Sequence, residues 1–301
     1  MGNYNSSLKG RKLKIPSIPE DVQTKSIDEK LPDLNRYLAS DIDYVENIHA
    51  FHFVKRHLYQ SNFSSPIEKR LIQGGCKVLD VACGSGTWLL DMSTNYENSH
   101  FVGLDFQAIY PQEIKPSNLN FIEADILDGL PFSDNEFDFV HQSTMTNVLK
   151  RSQWDFVLSE LIRVTKPGGY IEISETIYTF NDYGPIMQKL FNSLYSSLLK
   201  QNVDFNVIHD LESMLESHPN ITKVHWDERE IILGPNGGKI GIACQETLET
   251  FSNTEMTTEI LSSEMGVSKE EYKSIIGNGL KDELKVTRPE FMNIRLWAQK
   301  T

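Results

Sequence analysis

Cysteine is scarce in this chain of 301 residues: Cys76, Cys83 and Cys244 are the only three. Three thiols cannot all pair, and none stands at metal-ligand spacing from another, so neither a disulfide framework nor a cysteine zinc site is expected. The thiols read as reduced, in the cytosol or nucleus. Positive charge also runs short, with 29 Lys and Arg against 42 Asp and Glu and a net charge of −13. A binder of phosphate backbones would carry a basic face, so nucleic acid is not an expected partner. No apolar run approaches the roughly 20 residues of a membrane-spanning helix, and no signal-peptide core is seen near the start. What is present, 39% hydrophobic residues with ordinary charge, suffices for a sizeable core in one large domain or two small ones.

The chain is organised around VLDVACGSGTW, Val78 to Trp88. Apolar residues around Asp80, then Gly84, Ser85 and Gly86, then Trp88, Leu89 and Leu90 predict a buried strand, a tight turn and the start of a helix. Glycine lets the backbone turn sharply and approach a ligand, and the helix start points unpaired N–H groups at whatever sits in the turn. A small ligand with an anionic end is expected there. A dinucleotide fingerprint would need a third glycine where Leu89 stands, and no Lys-Ser or Lys-Thr follows to make a P-loop.

Similar elements follow. FVGLDF ends a second strand at Asp105 and Phe106, and LNFIEADILDGLPF a third at Asp125 and Ile126. NEFDFVHQ ends a fourth at His141 and Gln142, and KPGGYIEISE is a turn leading into a fifth that ends at Glu175. Trp154, Val157, Leu158, Leu161 and Ile162 mark an amphipathic helix stopped at Lys166-Pro167-Gly168-Gly169. Repetition of strand, helix and strand from Val78 to Ser174 predicts an α/β fold, a doubly wound parallel sheet with ligands at its carboxyl ends.

These five ordered elements resemble the class I S-adenosylmethionine-dependent methyltransferases, whose first motif takes the form Asp-x-Ala-Cys-Gly-x-Gly here, with Ala82 at the usual first glycine. The resemblance implies a Rossmann-like sheet of seven mostly parallel strands and S-adenosylmethionine as cofactor. Its site would comprise Asp80, Ala82, Cys83, Gly84, Ser85, Gly86, Asp105, Phe106, Asp125, Ile126 and His141. The family's acid at Asp105 takes the ribose hydroxyls; that at Asp125 takes the adenine amino group, with Ile126 covering the ring. Singly, each acid also has an ordinary reading: Asp80 as an anchor of the turn, Asp105 as a strand-end acid, Asp125 as a cap.

A sulfonium methyl group is already activated, so its transfer needs alignment and, in some cases, a base. Candidates for the base are His141 and Glu175, with Tyr178, Tyr183 and Trp226 near the mouth of the site. The other reading of His141 is a group packing on the adenosine or bonding to backbone. The Asn/Asp-Pro-Pro-Tyr signature of nucleic-acid amino methylation is absent, replaced by HQSTMTN. The resemblance therefore implies a small-molecule or protein acceptor. The alternative is a cofactor-binding regulatory or scaffold protein with weak or no transferase activity.

The start of the chain carries a separate signal. Gly2 and Ser6 fit the N-myristoylation pattern, and Lys9, Arg11, Lys12 and Lys14 follow. One acyl chain binds membranes only marginally, and basic residues add roughly 1 kcal/mol each at an anionic surface. Peripheral membrane contact is the expectation if Gly2 is lipidated; a disordered solubilising tail is the other reading. Residues 1–35, interrupted by Pro16, Pro19 and Pro32, read as a flexible basic tail.

From a cap at Asp41, the residues Tyr44, Val45, Ile48, Phe51, Val54, Lys55 and Leu58 recur at helical spacing. The resemblance places this helix as a lid over the cofactor. Its sequence is also similar to fungal methyltransferase-domain proteins related to regulators of secondary metabolism, through Phe51-His52 and Asn62 to Ile67, with Asn47 at their arginine position. His49, His52 and His57 do not read as a metal site, because no Cys, Asp or Glu completes one.

Beyond Glu175 the pattern predicts helices over 185–200 and 208–217, a strand at VHWDEREIILG, helices at GIACQETLETF and VSKEEYKSIIGNGLKDEL, and a terminal strand at FMNIRLWAQ. The resemblance implies that the last strand inserts antiparallel beside the fifth and that the intervening helices cap the acceptor side. The expected domain is 36–301, with a cofactor-binding core at 66–180 and the cap and last strands at 181–301.

Overall fold

The computed structural model describes residues 42–301. Gly2, the basic tail and Asp41 lie outside the described residues, as does the side chain of Asn47. Seven strands form one sheet: β1 Lys77–Val81, β2 His100–Asp105, β3 Leu119–Glu123, β4 Phe137–Ser143, β5 Thr165–Tyr178, β6 His225–Ile232 and β7 Glu290–Gln299. Their order is β3-β2-β1-β4-β5-β7-β6, with β1 to β5 parallel.

The last strand runs against the fifth. Gly168 N donates to Lys300 O at 2.7 Å and Lys300 N to Gly169 O at 3.0 Å, while at the other end Glu290 N donates to Asn181 O at 3.3 Å. The start of β5 therefore meets the end of β7, as the resemblance implied. The chain winds outward from β1 to β3 and then returns to β4, so the order reverses between β1 and β4. In doubly wound sheets that switch point opens a crevice at the carboxyl ends.

Burial on both faces explains the near-continuous apolar strands. Val78, Phe101, Leu119 and Phe139 pack with Trp88, Leu89 and Met92 of α3 (Thr87–Asn95) and with Leu71 of α2 (Glu68–Gln73). Trp154, Val157, Leu158 and Leu161 of α4 (Trp154–Val164) are fully buried, at the helical spacing expected. α1 covers Ile42–Tyr59.

Two local expectations are corrected. The connection from β2 to β3, residues 106–118, contains no helix, so the repeat is incomplete there. Lys166 to Gly169 belong to β5 itself: the register with β4 jumps between Phe137↔Thr165 and Phe139↔Tyr170. The side chain opposite explains the bulge, because buried Asp138 accepts from Lys166 Nζ at 2.7 Å and from Lys77 N at 2.9 Å and pairs with Arg70.

The described chain divides into two compact units. Residues 55–175, 207–227 and 294–301 form one, which includes α6 (Leu211–Glu216). Residues 42–54, 176–206 and 228–293 belong to the other, with α5 (Pro185–Lys200), α7 (Gly238–Asn253), α8 (Glu255–Met265), α9 (Lys269–Ser274) and α10 (Leu280–Val286). Here Glu283 accepts from Ile186 N and Met187 N, both at 2.8 Å, and so satisfies the open N-terminus of α5. The helix expected over VSKEEYKSIIGNGLKDEL is present, but a π turn at Ile275–Gly279 interrupts it. α8 was not anticipated, since its apolar residues are sparse; Thr254 caps it.

Candidate functional site

The turn after β1 is built on left-handed backbone: φ is 57° at Ala82, 55° at Gly84 and 73° at Gly86. Ala82 thus stands where glycine is easiest, which is why an alanine there departs from the common pattern. Cys83 N donates to Leu104 O at 3.0 Å and Gly86 N to Cys83 O at 2.9 Å, tying the turn to β2 and to itself. Ser85 is buried and its Oγ lies 3.0 Å from Thr87 Oγ1. A side chain at Gly84 would meet nothing within 4 Å, so the turn is open at that point. At Gly86 the space is closed, with Phe121 Cζ 2.6 Å from where a Cβ would stand.

Asp105 ends β2 and joins the turn. Its Oδ2 accepts from Gly84 N at 2.8 Å and its Oδ1 from Gln107 N at 3.1 Å. Burial raises its pKa, against those two hydrogen bonds, which hold it down. Half-buried Phe106 follows it. Asp125 caps a short 3-10 turn, Ile126–Asp128, accepting from Leu127 N at 2.9 Å, and Ile126 is buried beside it. Both acids therefore fill their ordinary structural roles and stand at neighbouring strand ends, β2 and β3.

Asp80 and His141 face one another across β1 and β4, where they are register partners. His141 Nδ1 lies 2.7 Å from Asp80 Oδ1, and each side chain is about 5% exposed or less. Trp88 stacks on the imidazole with centroids 4.1 Å apart and planes 7° from parallel. The indole Nε1 then donates to Asn62 O at 2.8 Å. His141 is thus enclosed at the floor of the turn, between Asp80 and Trp88.

Glu175 is buried near the end of β5 and grips the loop after β4. It accepts from Met145 N at 2.7 Å, Thr146 N at 3.4 Å and Thr146 Oγ1 at 2.8 Å. Thr144 in that loop has φ 63°, a strained value for a β-branched residue. Burial pushes the Glu175 carboxyl up to about 7 despite these donors and nearby Lys55.

Lys55 itself was not singled out by sequence reasoning, which met it as one position of an apolar stripe. It reaches from α1 to β4, where Nζ donates to Ser143 Oγ at 2.9 Å. Burial and, less strongly, Arg295 lower its pKa to about 8, against Glu175 and Asp80, which raise it. The end of α1 is fixed by a second buried cluster that sequence reasoning also missed. Glu172 of β5 accepts from Ser64 N, Ser65 N and Ser65 Oγ. Arg295 of β7 lies 3.8 Å from Glu172, donates to Ser61 O at 2.9 Å and stacks 3.8 Å over the Tyr59 ring. The only signal in the sequence is a charge in the middle of each apolar strand.

Tyr178 and Tyr183 lie in an aromatic cluster with Phe191 and Phe291, at centroid separations of 5.0 to 5.9 Å. Trp226 is half-buried on β6. Cys76 and Cys244 are buried free thiols, and burial raises the pKa of Cys83 in the turn. Among the described residues, no group of three or more His, Cys, Asp or Glu is placed to hold a metal ion, and no helix is long and apolar enough to cross a membrane.

Residues 78–169, which contain the turn, Asp105, Asp125 and His141, match the family model of a methyltransferase domain. The chain is 25% identical over 236 residues to the N-methyltransferase verN of Clonostachys rogersoniana, covering 74% of this chain and 78% of that one. It is 25% identical to the methyltransferase str3 of Strobilurus tenacellus, covering 59% and 65%, and 23% identical to the secondary metabolism regulator laeA of Coprinopsis cinerea, covering 53% and 42%. The chain thus spans less than two thirds of the latter two relatives. Similar solved structures include a Haemonchus contortus phosphoethanolamine N-methyltransferase 2 in complex with S-adenosyl-L-methionine, at TM-score 0.49 and 16% identity, covering 82% of this chain and 56% of that one. Another is the YcgJ protein of Bacillus subtilis, at TM-score 0.48 and 14% identity, covering 78% and 97%.

Proposed function

We propose that this chain, whose residues 78–169 match a methyltransferase-domain model, works as a class I S-adenosylmethionine-dependent methyltransferase and transfers the cofactor's methyl group to a nitrogen or oxygen of a small-molecule or protein acceptor. The observation that carries this reading is the open glycine turn with the Asp105 carboxylate held 2.8 Å from Gly84 N. The donor set fits an adenosyl sulfonium. A carboxylate has about four acceptor positions, so Asp105 keeps capacity for ribose hydroxyls beyond Gly84 and Gln107. Asp125 and Ile126 meet the adenine, the N–H groups opening α3 meet the anionic end, and His141 with Trp88 forms the floor. When bound, the cofactor supplies a methyl group already activated by sulfonium charge.

The Clonostachys relative, named as an N-methyltransferase, supports amines as the first acceptors to screen. The Coprinopsis relative supports the second reading, a cofactor-binding regulator with weak or no transfer. Calorimetric titration with S-adenosylmethionine and, separately, S-adenosylhomocysteine tests the shared premise: micromolar binding of both upholds it and absence of both removes it. Turnover of an amine panel then separates the two readings.

The same proposal extends to the tail, with Gly2 myristoylated and Lys9, Arg11, Lys12 and Lys14 holding a cytosolic or nuclear chain at an anionic surface. Loss of membrane recovery on Gly2→Ala supports it, and identical fractionation of the two proteins removes it.

A further inference from the structure

We propose that Lys55 takes up the proton released by the methyl acceptor, its amine standing at the carboxyl end of β4 where it bonds Ser143. The inference rests on the proposed methyl transfer and names a group for it that no motif marks. Its geometry comes from the order of the strands. Asp105 ends β2, and β4 lies two strands away across β1, roughly 10 Å at ordinary strand spacing. A ligand whose ribose is held at β2 and whose anionic end meets the turn after β1 carries its sulfonium between the two, and β4, the next strand beyond β1, brings Ser143 and Lys55 to the same carboxyl edge.

The charges around Lys55 suit the task. Burial, the largest influence, and Arg295 from β7 disfavour the ammonium, while Glu175 from β5 and Asp80 from β1 favour it, and the balance brings the pKa down to about 8. A base works best when its pKa lies near the operating pH. Tyr59, one turn further along α1, is held under Arg295, and Ser61 is bonded to it, which fixes the helix end that aims the lysine. In the step itself, the acceptor's electron pair forms the bond to the methyl carbon. The carbon–sulfur bond breaks with its pair kept on sulfur, and the acceptor's N–H or O–H proton passes to the Nζ lone pair. Lys55 is left as an ammonium that returns the proton to water.

Competitive acetylation of the full chain with acetic anhydride, read peptide by peptide in a mass spectrometer from about pH 6.5 to 10.5, tests this without an identified acceptor. It is run with and without saturating S-adenosylhomocysteine, whose binding is followed by calorimetry. The expected result is half-maximal labelling of Lys55 near pH 8, against about 10.4 for an ordinary lysine, and at least tenfold protection by S-adenosylhomocysteine. A midpoint near the ordinary value overturns the proposal, as does equal labelling with and without S-adenosylhomocysteine when calorimetry shows it bound. Absence of any binding overturns the proposed function, and the role of Lys55 with it.

Discussion

His141 Nδ1 lies 2.7 Å from Asp80 Oδ1, a hydrogen bond in a space from which water is nearly excluded. A carboxylate so placed depends on its donor, because a buried charged acceptor left unpaired costs about 1.5–3 kcal/mol. His141→Phe keeps a flat ring for Trp88 to stack on but removes the donor, and should lower unfolding free energy by that amount. Denaturant titration of the two proteins measures it. Equal stability would mean that the pair contributes nothing to the floor of the turn.

Asp105 has two employments, since it holds Gly84 N and Gln107 N and is proposed to receive the ribose. Asp105→Ala should weaken S-adenosylhomocysteine binding by roughly 1.5–3 kcal/mol, ten- to a hundredfold, through loss of a charge-assisted pair. Calorimetry gives the affinity, and a melting curve shows whether the turn has survived. Unchanged affinity in a folded protein would take Asp105 out of the site.

Glu175 should make the protein less stable as pH rises toward neutrality. Its native pKa, pushed up to about 7, lies above the ordinary 4.5, so between those values the native state holds a proton that the unfolded chain has released. Stability is then full below the lower value and is lost as pH rises through the upper one, by at most about 1.4 kcal/mol per pH unit. Lys55 acts in the opposite sense: its lowered pKa gives stability at high pH that is lost as pH falls through about 8. Glu175→Gln should therefore gain on the parent between pH 5 and 7.5, as urea titrations at several pH values would show. Parallel pH profiles would place the Glu175 carboxyl at its ordinary value.

The strand-end positions of the candidate site are legible in the sequence, and the residues show why. Asp80, Asp105 and Asp125 are acids at the ends of apolar runs, where periodicity stops and the chain must turn, so their positions could be read from local pattern. Lys55 could not be read that way. A lysine stem packs in an apolar stripe like any aliphatic chain, and only tertiary contact reveals that its ammonium meets Ser143. Glu172 and Arg295 stand on strands far apart in sequence, and nothing local links them. The bulge at Lys166 to Gly169 was hidden for a similar reason: Pro167 and the glycines announce a turn, while Asp138 on the neighbouring strand draws Lys166 into the sheet.

The two glycines of the turn should separate folding from binding. Gly84 and Gly86 both have positive φ, so alanine at either costs roughly 1–2 kcal/mol in backbone strain alone. The chain already carries one alanine in that conformation, at Ala82 with φ 57°. At Gly84 the added methyl meets no protein atom within 4 Å and enters only the space assigned to the cofactor. At Gly86 it stands 2.6 Å from Phe121 Cζ, and that ring is stacked on Tyr110 at 4.4 Å, so it cannot simply move away. Overpacking there adds about 1–3 kcal/mol. Gly84→Ala should thus fold with a small loss of stability yet bind S-adenosylhomocysteine at least tenfold more weakly. Gly86→Ala should lose distinctly more stability. Melting curves and calorimetry on both variants decide it. Parental affinity in Gly84→Ala would show that the open face of the turn is not where the cofactor lies.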